Sequence, residues 1–176
     1  MSRLAPLPDG EWNDDVRRAL APLLPPERAN PRDAGNILGT LVRHPALTRA
    51  FLTFNAYLLR DCELSPRLRE VALLRIVHRR NCEYLWDHHV PIAQRAGLSA
   101  AEIEGVRRGE VTGDVDRLVA RAVDELDDRT EISDETWTAL TDHLDERQLM
   151  DLVFVVGGYA MLAQVVNTFG IENEAV

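Results

Sequence analysis

Glu70, Cys82 and His89 are the residues of this chain whose types and spacing can support proton-transfer or thiol chemistry. The last two lie in the stretch NCEYLWDHHV, residues 81–90, which also contains a second histidine, His88. A carboxylate and an imidazole act as general acids and bases when their surroundings bring their pKa values near the working pH. A cysteine acts as a nucleophile in its thiolate form. Both chemistries therefore have candidate residues in this part of the chain.

Helical geometry assigns the side chains of this stretch to different faces. With ~100° per residue and Cys82 set at 0°, His89 falls near ~340° and Leu85 near ~300°, whereas His88 falls near ~240°. Cys82 and His89 thus share a face, separated by about 10.5 Å of helical rise. This separation is too long for a direct pair, but it allows both side chains to line one pocket. We expect the two histidines to have different roles.

Cys82 has two interpretations that the sequence leaves open. It stands at the predicted start of a helix, where unpaired N–H groups and the helix dipole favour an anion and lower a thiol pKa. A small apolar side chain buried in the core is equally consistent with the pattern.

Glu70 lies on the apolar face of the preceding helix, in an arc with Leu73, Leu74 and Val77. A carboxylate in such surroundings either finds a partner, a neighbouring arginine for instance, or has a raised pKa and becomes a usable acid or base. Glu70, Cys82 and His89 together make only a weak metal signature, and we predict no metal.

The elements that must position these residues are all helices, since apolar residues recur at i, i+3 and i+4 and no period-2 strand pattern appears. We predict a single all-α domain at residues 33–176, preceded by a proline-rich arm at residues 1–32 with one short helix near Asp14–Leu23. Ser65 and Pro66 signal the start of the helix that carries Glu70. The other predicted signals are a helix at Asp33–Arg43, a helix start near Asn81, a stop at Gly97, a capping box at Ser99 and Glu102, and a cap at Asp145 and Gln148.

Composition limits the classes of partner. The net charge of −9 over 176 residues gives no general attraction to nucleic acid or to an anionic membrane. We expect the arginines of one segment to pair with acids rather than to bind phosphate: Arg67, Arg69, Arg75, Arg79 and Arg80. The chain has only two cysteines, and its first residues lack the apolar core of a signal peptide. The apolar run at residues 149–166 is interrupted by Asp151 and Gln164. We therefore expect a cytoplasmic protein that does not span a membrane.

The constellation resembles the carboxymuconolactone decarboxylase family, which includes the AhpD-type alkylhydroperoxidases. The resemblance is carried by Glu70 and by CEYLWDHH, in which Cys82, Glu83, Tyr84, Trp86 and His89 are in register, and it extends over residues 35–170. It implies an all-α fold and a small-molecule substrate. It further implies assembly into trimers or hexamers, which the Gly157–Gly158 pair of the late apolar helix suits.

Leu85 decides between the two branches of the family. The resemblance implies a pair of thiols for the peroxidase branch, but Leu85 stands where the second thiol is required, and a leucine forms no disulfide. Cys62 replaces it only if the fold brings Cys62 close. The decarboxylase branch, as the resemblance implies, needs neither a thiol nor a cofactor.

The leading hypothesis is therefore a cofactor-independent acid–base enzyme, of decarboxylase, lyase or isomerase type, acting on a small oxygenated carbon acid. Glu70 is the expected proton-transfer carboxylate, His89 its partner and Cys82 a pocket thiol, with Tyr84, Leu85 and Trp86 shaping the substrate site. The alternatives are a thiol peroxidase that uses Cys82 alone and a helical oligomer that binds a ligand without turnover.

Overall fold

The computed structural model describes residues 2–174, and within them the protein is built from α-helices with no strand. The predicted all-α class is confirmed. Two short 3₁₀ helices lie at Asp9–Glu11 and Pro26–Arg28. The α-helices of the described residues are α1 (Asp14–Ala19), α2 (Pro31–Leu41), α3 (Pro45–Arg60), α4 (Pro66–Arg79), α5 (Glu83–Arg95), α6 (Ala100–Arg108), α7 (Asp114–Arg129), α8 (Asp134–Thr141) and α9 (Glu146–Phe169).

The chain forms two compact units, one of residues 2–61 with residues 165–174 and one of Cys62–Gln164. The predicted boundary after residue 32 falls inside the first unit, and the division into an arm and a helical domain stays a prediction. In the first unit, the proline-rich segment contributes Leu7 and Trp12 to the core, and the Trp12 indole N–H donates to the Leu7 carbonyl oxygen at 3.1 Å. The short helix expected near Asp14–Leu23 is α1, and α2 carries a break at Gly35, whose φ is +61°.

Helix α4 forms the centre of the second unit, where it packs against α5, α6 and α7. Fully buried side chains on several sides make it an internal helix: Val71, Ala72, Leu73, Leu74, Ile76 and Val77. Burying a leucine or isoleucine side chain stabilises the fold by about 1.5–3 kcal/mol. This packing holds the backbone of α4 rigidly, and Glu70 with it.

The arginines of α4 and its C-terminal end are paired with acidic residues, as predicted. Arg67 binds Glu102 and Asp116, Arg75 binds Asp124, and Arg79 and Arg80 both bind Asp127. The remaining arginine of the cluster, Arg69, binds Glu70. These pairs fasten α4 to α6 and α7, so the cluster is a structural network rather than a phosphate-binding surface.

The connection between α4 and α5 sets where Cys82 and His89 lie. Asn81 adopts the left-handed conformation with φ +53°, which asparagine tolerates better than most residues. The Asn81 N–H donates to the His78 carbonyl oxygen at 2.8 Å, and the Cys82 N–H donates to the Val77 carbonyl oxygen at 2.9 Å. This is a Schellman motif, and its last residue, Cys82, is at the same time the N-cap of α5.

The other predicted helix signals also lie where they were expected. Ser65 caps α4 with Pro66 in the first turn, and Ser99 and Glu102 form a capping box at the start of α6. Gly97, with φ +93°, ends α5. The Asp145 and Gln148 side chains cap the start of α9. Within the described residues, α9 is the helix that has the length and hydropathy to cross a membrane, and half of its most apolar window is buried inside the protein.

Candidate active site

Glu70 and His89 form a buried pair at the centre of the second unit. The Nδ1 atom of His89 lies 2.9 Å from Oε2 of Glu70, and the Glu70 side chain has no exposure to solvent. The arc predicted around Glu70 is confirmed, since Leu73, Leu74 and Val77 are all fully buried. Of the two outcomes expected for this carboxylate, the structure shows the paired one.

Arg69 is the second partner of Glu70. Its Nε atom lies 3.3 Å from Oε1 of Glu70, so each carboxylate oxygen has its own partner. The arginine side chain is only 12% exposed. The neighbouring arginine that the sequence suggested as a partner for Glu70 is therefore present together with the histidine, not in place of it.

Tyr159 of α9 fixes the other side of the imidazole. Its ring meets the His89 ring edge to face, with 5.3 Å between the centroids and 84° between the planes. Such an arrangement suits aromatic rings, because the positive edge of one ring meets the negative face of the other. Tyr159 is itself 1% exposed, so the position of the imidazole is set by Glu70 on one side and by Tyr159 on another.

Cys82 is buried, with no hydrogen bond from its side chain to cap α5. Burial raises the pKa of the Cys82 thiol, and the nearby Leu85 N–H, which favours the thiolate, does not offset it. Of the two interpretations left open for Cys82, burial and the raised pKa favour the small buried side chain over a thiol of lowered pKa. Since Cys82 has a non-helical ψ of 81°, the helical-wheel angle for it no longer applies.

Cys62 lies in the loop before α4, where the Arg69 guanidinium acts electrostatically on its thiol. Burial raises the pKa of Cys62, although Arg69 acts in the opposite direction. Both cysteines are free. The fold therefore places Cys62 beside the arginine that contacts Glu70, which the sequence could not show.

The other aromatic and histidine side chains of α5 have separate contacts. His88 is exposed and stacks on Tyr84 with 4.2 Å between the ring centroids, which confirms that the two histidines lie in different surroundings. Trp86 is buried beneath the Arg107 guanidinium, 4.4 Å from the ring centroid, and meets the edge of His78. Tyr84, Leu85 and Trp86 are all buried, and their expected part in substrate binding stays a prediction.

Within residues 2–174, no group of three or more histidine, cysteine or acidic side chains is arranged to hold a metal ion. The contacts described above join a carboxylate, an imidazole, a guanidinium and a tyrosine ring, with the Cys62 thiol near the guanidinium. Such a set can move protons between a bound substrate and a buried, oriented imidazole.

Comparison with known proteins identifies the segment that carries this site. Residues 45–128 match the profile of the carboxymuconolactone decarboxylase family, and they include Glu70, Cys82 and His89. The resemblance read from the CEYLWDHH stretch is thus confirmed over residues 45–128, a shorter segment than the 35–170 expected. A search among curated proteins finds no significant match to the sequence.

Solved structures show a similar, AhpD-like helical fold. An uncharacterised peroxidase-related protein with an alkylhydroperoxidase AhpD core, from Ralstonia eutropha JMP134, superposes with a TM-score of 0.78 at 18% identity, over 97% of this chain and 93% of that one. The debrominase Bmp8 superposes with a TM-score of 0.72 at 15% identity, over 98% and 92%. A protein of unknown function from Agrobacterium tumefaciens, suggested to be an antioxidant defence protein AhpD, gives 0.68 at 17% identity, over 76% and 94%.

Sequence reasoning missed two contributors to the site. Tyr159 lies outside the matched segment, in a run whose apolar character indicated only a buried helix. The available signal was a tyrosine hydroxyl in a largely apolar stretch. Arg69 was grouped with the structural arginines, and its adjacency to Glu70 in sequence was the available signal.

Proposed function

We propose that the protein is an acid–base enzyme that moves a proton to or from carbon on a small oxygenated substrate, as in a decarboxylase or isomerase. The observation that carries this proposal is the buried pair of His89 Nδ1 and Glu70 Oε2 at 2.9 Å. The match of residues 45–128 to the carboxymuconolactone decarboxylase family supports it.

The two partners have different roles in this proposal. The proposal takes Glu70 as the ionised partner; because an ionised carboxylate only accepts hydrogen bonds, it assigns the proton between Glu70 and His89 to Nδ1 of the imidazole. The other ring nitrogen, Nε2, is then the atom that exchanges a proton with substrate. Because both oxygens of Glu70 already have partners, we assign to it the orientation of the imidazole rather than the transfer that the sequence led us to expect.

In the proposed reaction of a carboxylated lactone or a β-keto acid, the bond between carbon and the carboxylate breaks and CO₂ leaves. The electron pair of that bond moves into the conjugated system as an enolate. The protonated imidazole then gives its Nε2 proton to the carbon and is reprotonated by solvent. Glu70 stays ionised and stabilises the imidazolium before transfer.

The two thiols support a peroxidase function less well. A peroxide-reducing cysteine reacts as the thiolate, whereas burial raises the pKa of Cys82 and favours the protonated thiol. Leu85 also stands where the family pattern of two thiols has the second one. We therefore place Cys82 in the core beside the site, outside the reacting groups.

The test compares proton exchange with peroxide consumption. In D₂O, ¹H NMR of carboxylated lactones and β-keto acids detects proton exchange at carbon even when no net turnover follows. We expect exchange or decarboxylation with the unaltered protein, and we expect Cys82→Ser to keep most of it, because serine retains the size of the side chain. Consumption of cumene hydroperoxide that Cys82→Ser abolishes, without exchange on any carbon acid, would establish the thiol peroxidase instead. A compound that binds tightly and is recovered chemically unchanged, with no deuterium incorporated, would favour the helical oligomer that binds a ligand without turnover.

We also propose that the chain assembles with copies of itself through α9. One face of this helix is exposed and apolar over about 16 Å, given ~1.5 Å of rise per residue, and it consists of Met150, Val153, Phe154, Gly157 and Met161. A Cβ added at Gly157 would meet nothing within 4 Å, so a second helix can approach closely at the centre of the face. A second copy fits because it brings the same uncharged, apolar face, and self-complementary surfaces of this kind are typical of symmetric oligomers.

Introducing a charge into this face should dissociate the assembly. Phe154 is 53% exposed, so Phe154→Glu leaves the fold of the subunit intact but places an unpaired carboxylate in the contact, at a cost of several kcal/mol. Multi-angle light scattering should show trimers or hexamers for the unaltered protein and monomers for the variant. Trp137→Glu, at a residue 45% exposed on α8, is the matched control and should not change the mass. A monomeric unaltered protein, or one that binds lipid vesicles through this face, contradicts the proposal.

A further inference from the structure

Arg69 acts on both the carboxylate of the Glu70–His89 pair and the thiol of Cys62. Its Nε donates to Oε1 of Glu70 at 3.3 Å, and its positive charge acts on the Cys62 thiol, favouring the thiolate. Asp151, a buried acid, acts electrostatically on Cys62 and accepts the N–H of Glu63. The guanidinium therefore lies in a buried region that contains two carboxylates.

The charges around Glu70 indicate what Arg69 does in the site. A buried carboxylate without a cation takes up a proton, because desolvation penalises the charged form. His89 supplies a cation only while it carries both ring protons, and in the proposed reaction it gives one of them to substrate. At that moment a second, permanent cation is needed to keep Glu70 ionised, and a guanidinium stays charged under all physiological conditions.

We infer that Arg69 is a positioning residue that keeps Glu70 an acceptor throughout the cycle, so that the neutral His89 always presents an unprotonated Nε2. Without Arg69, a protonated Glu70 donates to Nδ1, and the imidazole changes to the tautomer that carries its proton on Nε2. A general base with its proton on the wrong nitrogen cannot accept another from substrate. This inference rests on the proposed function for its catalytic meaning, but its structural content does not require turnover.

The test reads the tautomer of His89 directly by ¹⁵N-resolved imidazole NMR. We expect the Nδ1–H form in the unaltered protein near neutral pH, a shift toward the Nε2–H form in Arg69→Gln, and recovery of much of the Nδ1–H form in Arg69→Lys, which keeps the charge. Arg67→Gln is the matched control, because it removes a paired guanidinium from the same helix without touching Glu70, and it should leave the His89 spectrum unchanged. An unchanged tautomer in a folded Arg69→Gln variant overturns the inference.

A second measurement requires no variant. The ¹³Cδ chemical shift of Glu70 in the unaltered protein reports whether the carboxylate is ionised, and a protonated Glu70 at neutral pH overturns the inference even if Arg69→Gln does not fold. Once a substrate is known, Arg69→Gln should lower kcat more than it raises KM, by less than the roughly 10²–10⁴-fold that an acid–base group itself supplies. Because the NMR results do not depend on activity, a failure of the proposed function is distinguishable from a failure of this inference.

Discussion

Replacing His89 by glutamine should lower kcat by roughly 10²–10⁴-fold, whereas the same replacement at the adjacent His88 should change it little. His89 is buried, bound to Glu70 at 2.9 Å and packed on Tyr159, while His88 is exposed and stacks on Tyr84. The glutamine amide can still donate to Glu70, so the buried carboxylate keeps a partner. It has no group that titrates near neutral pH, so proton transfer stops. The decrease corresponds to about 2.7–5.5 kcal/mol of transition-state stabilisation.

The measurement is steady-state kinetics, or the rate of solvent proton exchange on the substrate identified in D₂O, for both variants at matched protein stability. His88→Gln and His89→Gln have the same amino-acid composition and differ only in which face of α5 carries the replacement. The comparison is therefore direct. Equal losses from His88→Gln and His89→Gln would point to a general disturbance of α5. Full activity in His89→Gln would exclude the imidazole as the acid–base group.

Local signals in the sequence predicted the helices well, because each signal acts within a few residues. Ser65 with Pro66, and Ser99 with Glu102, satisfy the free N–H groups of the first turns of α4 and α6 without help from the rest of the fold. The burial of Glu70 could also be predicted, since helical periodicity placed it between leucines that must face the core.

The contacts that complete the site were harder to predict from the sequence, since the main one joins helices that are distant in sequence. Tyr159 reaches His89 from α9, 70 positions further along the chain, and no spacing rule connects the two. The influence of Arg69 on Cys62 acts over a short distance in sequence, but Cys62 lies in the loop before α4, where helical periodicity gives no prediction. Periodicity indicates which face of a helix is buried, but it does not indicate which side chain of another helix meets it.

The Cys82 thiol shows how burial can outweigh a local signal. The start of a helix stabilises a nearby anion by about 0.3–1 kcal/mol at an exposed site. Removing a charged group from water costs several kcal/mol unless it is paired. Cys82 is 1% exposed, so desolvation dominates and the pKa rises. The sequence identified the helix start correctly, but the depth of burial depends on the packing of α5 within the second unit.

Removing the Glu70 carboxylate should have the largest effect on stability, with Glu70→Ala lowering the free energy of unfolding by about 3–5 kcal/mol. The reason is the charge that remains, since the variant leaves the largely buried Arg69 guanidinium without its carboxylate. Nδ1 of His89 also loses its hydrogen-bond partner. A typical domain has only about 5–15 kcal/mol of stability in total, so the expected loss is a large part of it. Glu70→Gln keeps the volume and an acceptor oxygen, and it should cost less, about 1–3 kcal/mol.

Urea unfolding followed by circular dichroism, at one protein concentration for all variants, measures these differences. Glu83→Ala is the control, because Glu83 also pairs with an arginine, Arg107, but is 60% exposed. An exposed pair of this kind contributes about 0–1 kcal/mol. The order of stability should therefore be Glu83→Ala above Glu70→Gln above Glu70→Ala. A Glu70→Ala variant as stable as Glu83→Ala would mean that Glu70, Arg69 and His89 do not depend on one another for stability. The assignment of Glu70 as the residue that orients His89 would then lose its physical basis.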